Sequence, residues 1–479
     1  MPCVCPRPTD ARPRTARHEL LLPLIAALLI LAAACSNDDP VPTVTAVPTA
    51  TRTQTPTPSP TPLPTATPRP RPEAVAFPED LQAEARQLLE RIAVARNSPP
   101  MRSVDMFLLT RDQVRAIYAQ EGTPGSDPSA TPDPASPSPA DLKQETYVLL
   151  GLIPPPEEAG GRDLAAQQLD DLIPLITGFY SSEFNAFYLV SGLSGGIYGG
   201  LARSTIVHEL THALQYQYQD IDAIARQRAN DWDGMTALLQ VLEGDAVNTE
   251  NLVLGFSTRS TYRQPVCFTI PPPQRRDSPF VVERELDTWY EDGLCFIQAV
   301  SGRVLRGIAG IFEDLPTTTE QILHPEKYLA GEDAEPVILP ALDPVLGSGW
   351  RLWGRANFGE FGLQNLLLLG VLGDRPLVQA AAAGWGGDSL ALYGNGDARL
   401  LHAEIVWDTP EDAREFFDAL ITSLANRGSD RQPPFGADRY ELQLGAATWH
   451  AYVVGSRVAL LVGTDARAFA AAKDTVIRP

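Results

Sequence analysis

The run HELTH, His208 to His212, sets two imidazoles four residues apart with a glutamate beside the first. The surrounding stretch, LARSTIVHELTHALQYQYQ at 201–219, predicts a helix, with Ile206, Val207, Leu210, Ala213, Leu214 and Gln217 on one broad face. Helical positions i and i+4 share a face, so both rings reach a single ion. Imidazole nitrogen binds zinc at about 2.0 Å, and H-E-x-x-H is a zinc-binding pattern. Glu209 points to the side where a water on that ion would sit, which suits a general base better than a ligand. Zinc lowers the pKa of such a water toward about 7, and a peptide carbonyl polarised by the same ion is the natural target. The chain has only six histidines, so this pairing is a rare coincidence. The competing reading is two histidines on a solvated helix face.

A catalytic zinc takes three protein ligands and keeps one open position. The residues after His212 read ALQYQY, which excludes a third histidine in the HExxHxxGxxH pattern. Carboxylates remain. Glu243 lies on a helix predicted over 235–250, MTALLQVLEGDAVNTE, against the face made by Leu239, Ala246 and Val247. An ionised carboxylate there is costly unless paired or bound to a metal. Asp220, Asp222, Asp245 and Glu250 are rivals, although Asp245 points about 200° away from Glu243 on an ideal helix. Gly244 is the one weak point of that helix. An oxyanion stabiliser is expected from a Tyr or His. His324 and Tyr290, with Tyr216 and Tyr328, qualify by type, and His324 also reads as loop packing between Leu323 and Pro325. His402 and His450 fall on strands and read as sheet-surface residues. Trp350, Trp353 and Trp385 read as core.

The elements that must hold these residues are legible in outline. Helices are expected at 79–97, 111–120, 286–300 and 317–323, the last opened by a Thr317 and Glu320 capping box. The stretch 164–180 is helical in its first part. Strands are expected at 104–110 and 184–190. GLSGGIYGG at 192–200 lacks the spacing and the lysine of a phosphate loop. Residues 122–141 read as a low-complexity surface loop. Beyond 340, helices at 359–371, 375–384 and 411–426 and at the C-terminus alternate with strands near 389–394, 400–407, 438–443, 448–454 and 457–462. That order predicts an antiparallel sheet with helices on one face, an α+β arrangement.

The 479 residues imply two folded domains plus tails. A net charge of −21 repels phosphate backbones and argues against nucleic-acid binding. Arg7, Arg12, Arg14 and Arg17 precede an apolar run, 20–34, too short to favour a spanning helix. Ala32 to Ala34 before Cys35 resemble the lipobox of bacterial lipoproteins. The resemblance implies a signal peptide over 1–34, cleavage before Cys35 and its lipidation, hence an extracytoplasmic protein anchored to the bacterial cell membrane. Residues 35–72 form a Pro/Thr-rich tether. Only Cys267 and Cys295 then remain, which suggests one disulfide, with two separate buried thiols as the alternative.

HELTHALQ followed by a helix carrying EGDA (243–246) resembles the gluzincin metallopeptidases. More narrowly, the chain is similar to a group of bacterial exported proteins with HExxHALQ, an EGDA helix and a segment like TTTEQILHPEKYL (317–329). The likeness covers 140–335 and, more weakly, GWGGDSLALY (384–393). It implies that Glu243 is the third ligand of one zinc per chain. It also implies that an edge strand such as 184–190 lies antiparallel to bound peptide. The fold expected is α+β: a mainly helical, zincin-like catalytic domain over 73–340 with a small edge sheet, then an antiparallel α+β domain over 341–479. The function expected is extracytoplasmic zinc-dependent peptidase, with a peptide or protein substrate. A non-catalytic envelope lipoprotein with a structural or decayed zinc site that binds a partner is the alternative, and the motif leaves non-peptide substrates open. The chain departs from the gluzincin N-E-x-x-x-D helix, having Leu242 before Glu243 and Val247 four residues after it. The second partner of a zinc histidine is therefore not identified by sequence.

Overall fold

The computed structural model describes residues 71–121, 137–158, 161, 173–255, 267–270, 279–428 and 436–476. The expected signal segment, Cys35, nearly all of the tether, most of the expected loop and the helical part of 164–180 lie outside the described residues. The described chain is α+β. No helix among the described residues is long and apolar enough to cross a membrane.

The N-terminal part carries a four-stranded sheet of β1 (Val75–Ala76), β2 (Asp105–Leu109), β3 (Gly178–Ser181) and β4 (Ala186–Val190) in the order β1-β2-β4-β3. Strands β2 and β4 are parallel, and the other pairs antiparallel. Helix α1 (Glu79–Arg96) covers the sheet with Leu81, Ala85, Leu88, Leu89 and Ile92, the spacing of one helical face. The expectation of an edge strand at 184–190 is corrected. Every residue of AFYLV in β4 is buried and the strand is paired on both sides, as suits a continuous apolar run. The outer strands are β1 and β3, the latter four residues that sequence periodicity passes over.

Helix α2 (Gly200–Tyr218) lies under β3 and β4 and is buried on every side from Ser204 to Gln215. Helix α3 (Trp232–Leu254) crosses it and packs along α4 (Phe280–Val300). Cys267 and Cys295 are joined by a disulfide with Cα atoms 5.6 Å apart, which ties α4 to the segment before it. The short helix α5 (Thr319–Leu323) begins one residue later than the expected capping box. Thr318 is the cap and accepts from the Gln321 N–H, while the Thr317 N–H donates to the Gln321 side chain.

The C-terminal part is a six-stranded antiparallel sheet in the order β5-β6-β7-β10-β9-β8, from β5 (Arg351–Ala356), β6 (Trp385–Asn395), β7 (Ala398–Trp407), β8 (Arg439–Leu444), β9 (Ala447–Val454) and β10 (Arg457–Gly463). Helices cover both of its faces, not one as expected. Leu390, Leu392 and Leu460 meet Phe416 and Leu420 of the helix Pro410–Gly428. Ala391, Tyr393 and Leu461 meet Phe469 and Ala472 of the C-terminal helix. Consecutive residues such as Leu390–Tyr393 of β6 and Val458–Val462 of β10 are apolar and buried, so both faces need a cover. Trp385 is buried in the first of these cores, and Trp353 and Trp350 pack at the rims of the two. The expected loop at 122–141 ends early. A helix, Pro139–Leu150, starts with Ser138 and Asp141 in a capping box and sends Leu142, Tyr147 and Leu150 into the C-terminal core.

Candidate metal centre

His208 and His212 stand one helical turn apart on α2, with ring centroids 4.8 Å apart. Glu243 reaches them from α3. Its Oε2 is 3.0 Å from His208 Nε2 and 3.6 Å from His212 Nε2. These three ligand atoms lie within 4.8 Å of one another. Ligand atoms around a tetrahedral zinc at about 2.0–2.1 Å stand about 3.3 Å apart, so the residues present fit that ion. Burial opposes any charge on Glu243, but the paired imidazoles hold its carboxyl down at about 2. Burial likewise opposes charge on His208, while its hydrogen bond to Glu243 raises it to about 10. His212 is raised in the same way.

Glu209 is fully buried, and neither carboxylate oxygen makes a hydrogen bond of normal geometry. Burial pushes its carboxyl up to about 6 against the pull of His212 and His208, and the Tyr180 backbone on β3 also holds it down. A buried carboxylate without partners is costly unless chemistry or an ion uses it.

Tyr290 of α4 is the expected helper that the fold does bring in. Its ring lies 6.2 Å from that of His208, and its hydroxyl bonds Glu243. Burial, then the charges of Glu243 and Glu209, raise the phenol well above its ordinary value. Tyr216 continues the His208 and His212 face by one turn and packs its ring 5.6 Å from that of Tyr180. His324 is placed elsewhere. Its Nε2 meets Glu360 at 3.0 Å, so it does not serve this centre. Tyr328 donates to the Asp314 carbonyl. Of the rival carboxylates, Asp220 caps the helix Ile221–Gln227 and Asp222 accepts from Ser182. Asp245 faces away from the ligand atoms and pairs with Arg96.

Residues not singled out in the sequence surround the two histidines. Gln215, three after His212, places its Oε1 2.8 Å from His212 Nδ1. Its amide nitrogen donates to Leu242 O at 3.0 Å and Asp245 Oδ2 at 2.8 Å. Glu250, weighed only as a rival ligand, sets Oε2 3.8 Å from His208 Nδ1 and accepts from Ser204 with its other oxygen. The spacing of Gln215 from His212 could have flagged it; nothing local marks Arg96, 149 residues from Asp245.

A second acidic group, Glu320, Glu332 and Asp408, is gathered around a lysine. Lys327 Nζ lies 2.7, 2.6 and 2.9 Å from them. Close by, Asp233 of α3 takes the N–H and hydroxyl of Thr319, and Asp388 takes the N–H groups of Phe358 and Gly359 at 2.8 Å each. The EGDA helix, the TTTEQILHP segment and the GWGGD strand thus meet at one junction.

Residues 351–473, the C-terminal sheet and its helices, match a family described as a domain of unknown function (DUF8575). That match does not reach the metal centre. No curated protein and no solved structure matches the chain.

Proposed function

We propose that this chain is an extracytoplasmic zinc peptidase of zincin type, with His208, His212 and Glu243 as ligands and Glu209 as general base. One observation carries the reading: three ligand atoms converge while the Glu209 carboxylate, buried beside them, has no side-chain hydrogen bond. Bound zinc would supply a polarised carbonyl and a water acidic near pH 7. The chain's own residues do the rest. Glu209, with its carboxyl at about 6, accepts a proton near neutral pH and returns it to the leaving amine. The Tyr290 hydroxyl, kept protonated by burial, donates to negative charge developing on the carbonyl oxygen. An extended peptide would add alongside β3, an outer strand of the sheet above α2. The disulfide favours an oxidising compartment, and a lipid at Cys35 would anchor the protein to the membrane.

The test compares variants of a soluble form beginning at residue 73. Glu209→Gln should retain one zinc per chain and lose about 10²–10⁴-fold in casein hydrolysis. His212→Ala and Glu243→Gln should lose zinc as well. Equal activity of Glu209→Gln and wild type would remove the peptidase reading. A second reading, a non-catalytic lipoprotein with a structural or decayed site, draws support from burial: His208 and His212 are 1% exposed and Glu209 0%. Zinc retained by a wild type inactive on unfolded protein would favour it.

A further inference from the structure

We propose that Glu250, and Gln215 braced by Asp245 and Arg96, are positioning residues that hold each histidine with Nδ1 protonated and Nε2 turned to Glu243 and the metal. This rests on the metal reading above.

Gln215 settles the case for His212. Its amide nitrogen faces two groups that only accept, the Leu242 carbonyl and the Asp245 carboxylate. Its orientation is therefore fixed, and Oε1 is what remains for His212 Nδ1 at 2.8 Å. An amide oxygen cannot donate, so the proton sits on Nδ1 and the Nε2 lone pair is free. Asp245 is held in turn by Arg96 of α1. Both side chains are almost fully buried, and the guanidinium lies over the Phe312 ring at 5.6 Å. The brace runs from a helix 149 residues away in sequence.

Glu250 plays the matching part for His208. It sits seven residues after Glu243, two turns on, so both carboxylates face α2 from one side of α3. One oxygen accepts from Ser204, and the other faces His208 Nδ1 at 3.8 Å. That nitrogen is buried without a hydrogen bond of normal geometry, and Nε2 of the same ring lies 3.0 Å from Glu243 Oε2. An ionised carboxylate only accepts, so it selects the same tautomer. The two arms differ in charge: a carboxylate stands behind His208 and a neutral amide behind His212. The position four after Glu243, filled by Val247, is not needed.

The test measures zinc dissociation constants of the folded chain by chelator competition. Glu250→Ala and Gln215→Met should each weaken binding about 10–100-fold, the usual effect of losing such a partner. Glu250→Gln, which keeps an acceptor oxygen, should recover much of the loss, while Glu250→Met, which keeps the bulk without an acceptor, should not, a split that a packing role would not predict. Unchanged affinity in both truncated variants would overturn the proposal. Where a variant does not fold, nitrogen-15 histidine spectra of zinc-loaded wild type decide. Nε2 coordination on both rings is expected, and Nδ1 coordination on either overturns it. A wild type that binds no zinc sinks the metal reading, and this one with it. Normal wild-type binding with unaffected variants sinks this one alone.

Discussion

Gly244 and Gly293 meet backbone to backbone where α3 crosses α4. A Cβ on Gly244 would stand 2.1 Å from the Gly293 carbonyl carbon, and one on Gly293 would stand 2.0 Å from Gln240 O. Neither space can hold a methyl group. The contact brings Glu243, one residue before the first glycine, against Tyr290, three residues before the second. The Gln240 amide bonds Thr288 Oγ1 at 2.8 Å just beside it.

Gly244→Ala should therefore destabilise the fold although alanine is the better helix former. The propensity gain of about 1 kcal/mol is outweighed by overpacking against rigid backbone, typically about 1–3 kcal/mol and more where nothing can give. Denaturant unfolding measures it, and zinc affinity should fall in the same variant as the helices separate. A variant as stable as wild type would mean that the two helices can part freely.

The glycine marks where sequence reading stopped. Gly244 stands out in EGDA as an unfavourable helix residue, yet nothing local says that another glycine 49 positions on lies against it. The three residues proposed as ligands were legible because a pair at i and i+4 and a lone carboxylate on an apolar face are local signals. So were α1, α2 and α3, whose apolar periodicity is strong, and the disulfide partners, left over once export is assumed. The edge assignment failed because periodicity passes over GFYS, and only its pairing with AFYLV makes β4 internal. The Gln215, Asp245 and Arg96 brace is tertiary and has no periodicity to betray it.

Tyr290→Phe removes one hydroxyl from a ring that otherwise packs unchanged on the His208 side of the centre. Zinc content should stay at the wild-type level. Hydrolysis should fall by about 10²–10³-fold, the usual effect of losing one oxyanion donor. Steady-state kinetics with zinc analysis on the same preparation separates this from a loss of ligand geometry. Unchanged kcat would remove Tyr290 from the chemistry and leave Tyr216, the next residue on the ligand face, to be tried.

Cys267 and Cys295 close a loop of 28 residues in sequence and fasten α4, the helix of Tyr290. A constraint on that length of unfolded chain is worth about 2–4 kcal/mol. Cys295→Ser should lower the melting temperature, and adding reductant to the variant should change nothing further. Non-reducing peptide mapping of wild type should show the linked pair. Free thiols at both positions in exported protein would contradict the bridge.

His402 gives the C-terminal sheet a predictable acid sensitivity. It is fully buried in the middle of β7, between Ala391 and Leu461 on the neighbouring strands. Neither ring nitrogen makes a hydrogen bond, and Glu404 Oε1 stands 3.6 Å from Nε2. Burial, and then the positive charge of Arg355, lower its pKa from 6.5 to about 4. Above pH 6.5 the ring is neutral in folded and unfolded chains alike, so it adds no pH dependence there. Between 6.5 and about 4 the unfolded chain takes up a proton that the folded chain refuses, and stability falls as pH falls. The full shift, at about 1.4 kcal/mol per unit, amounts to about 3 kcal/mol by pH 4. Glu209 works in the opposite sense, because a carboxyl raised to about 6 favours folding as pH falls. The comparison must therefore be a difference between proteins. His402→Leu should be close to wild type in its pH slope above pH 7 and lose less stability from pH 6.5 to 4. Parallel curves for the two proteins over that range would show that His402 is protonated in the folded sheet.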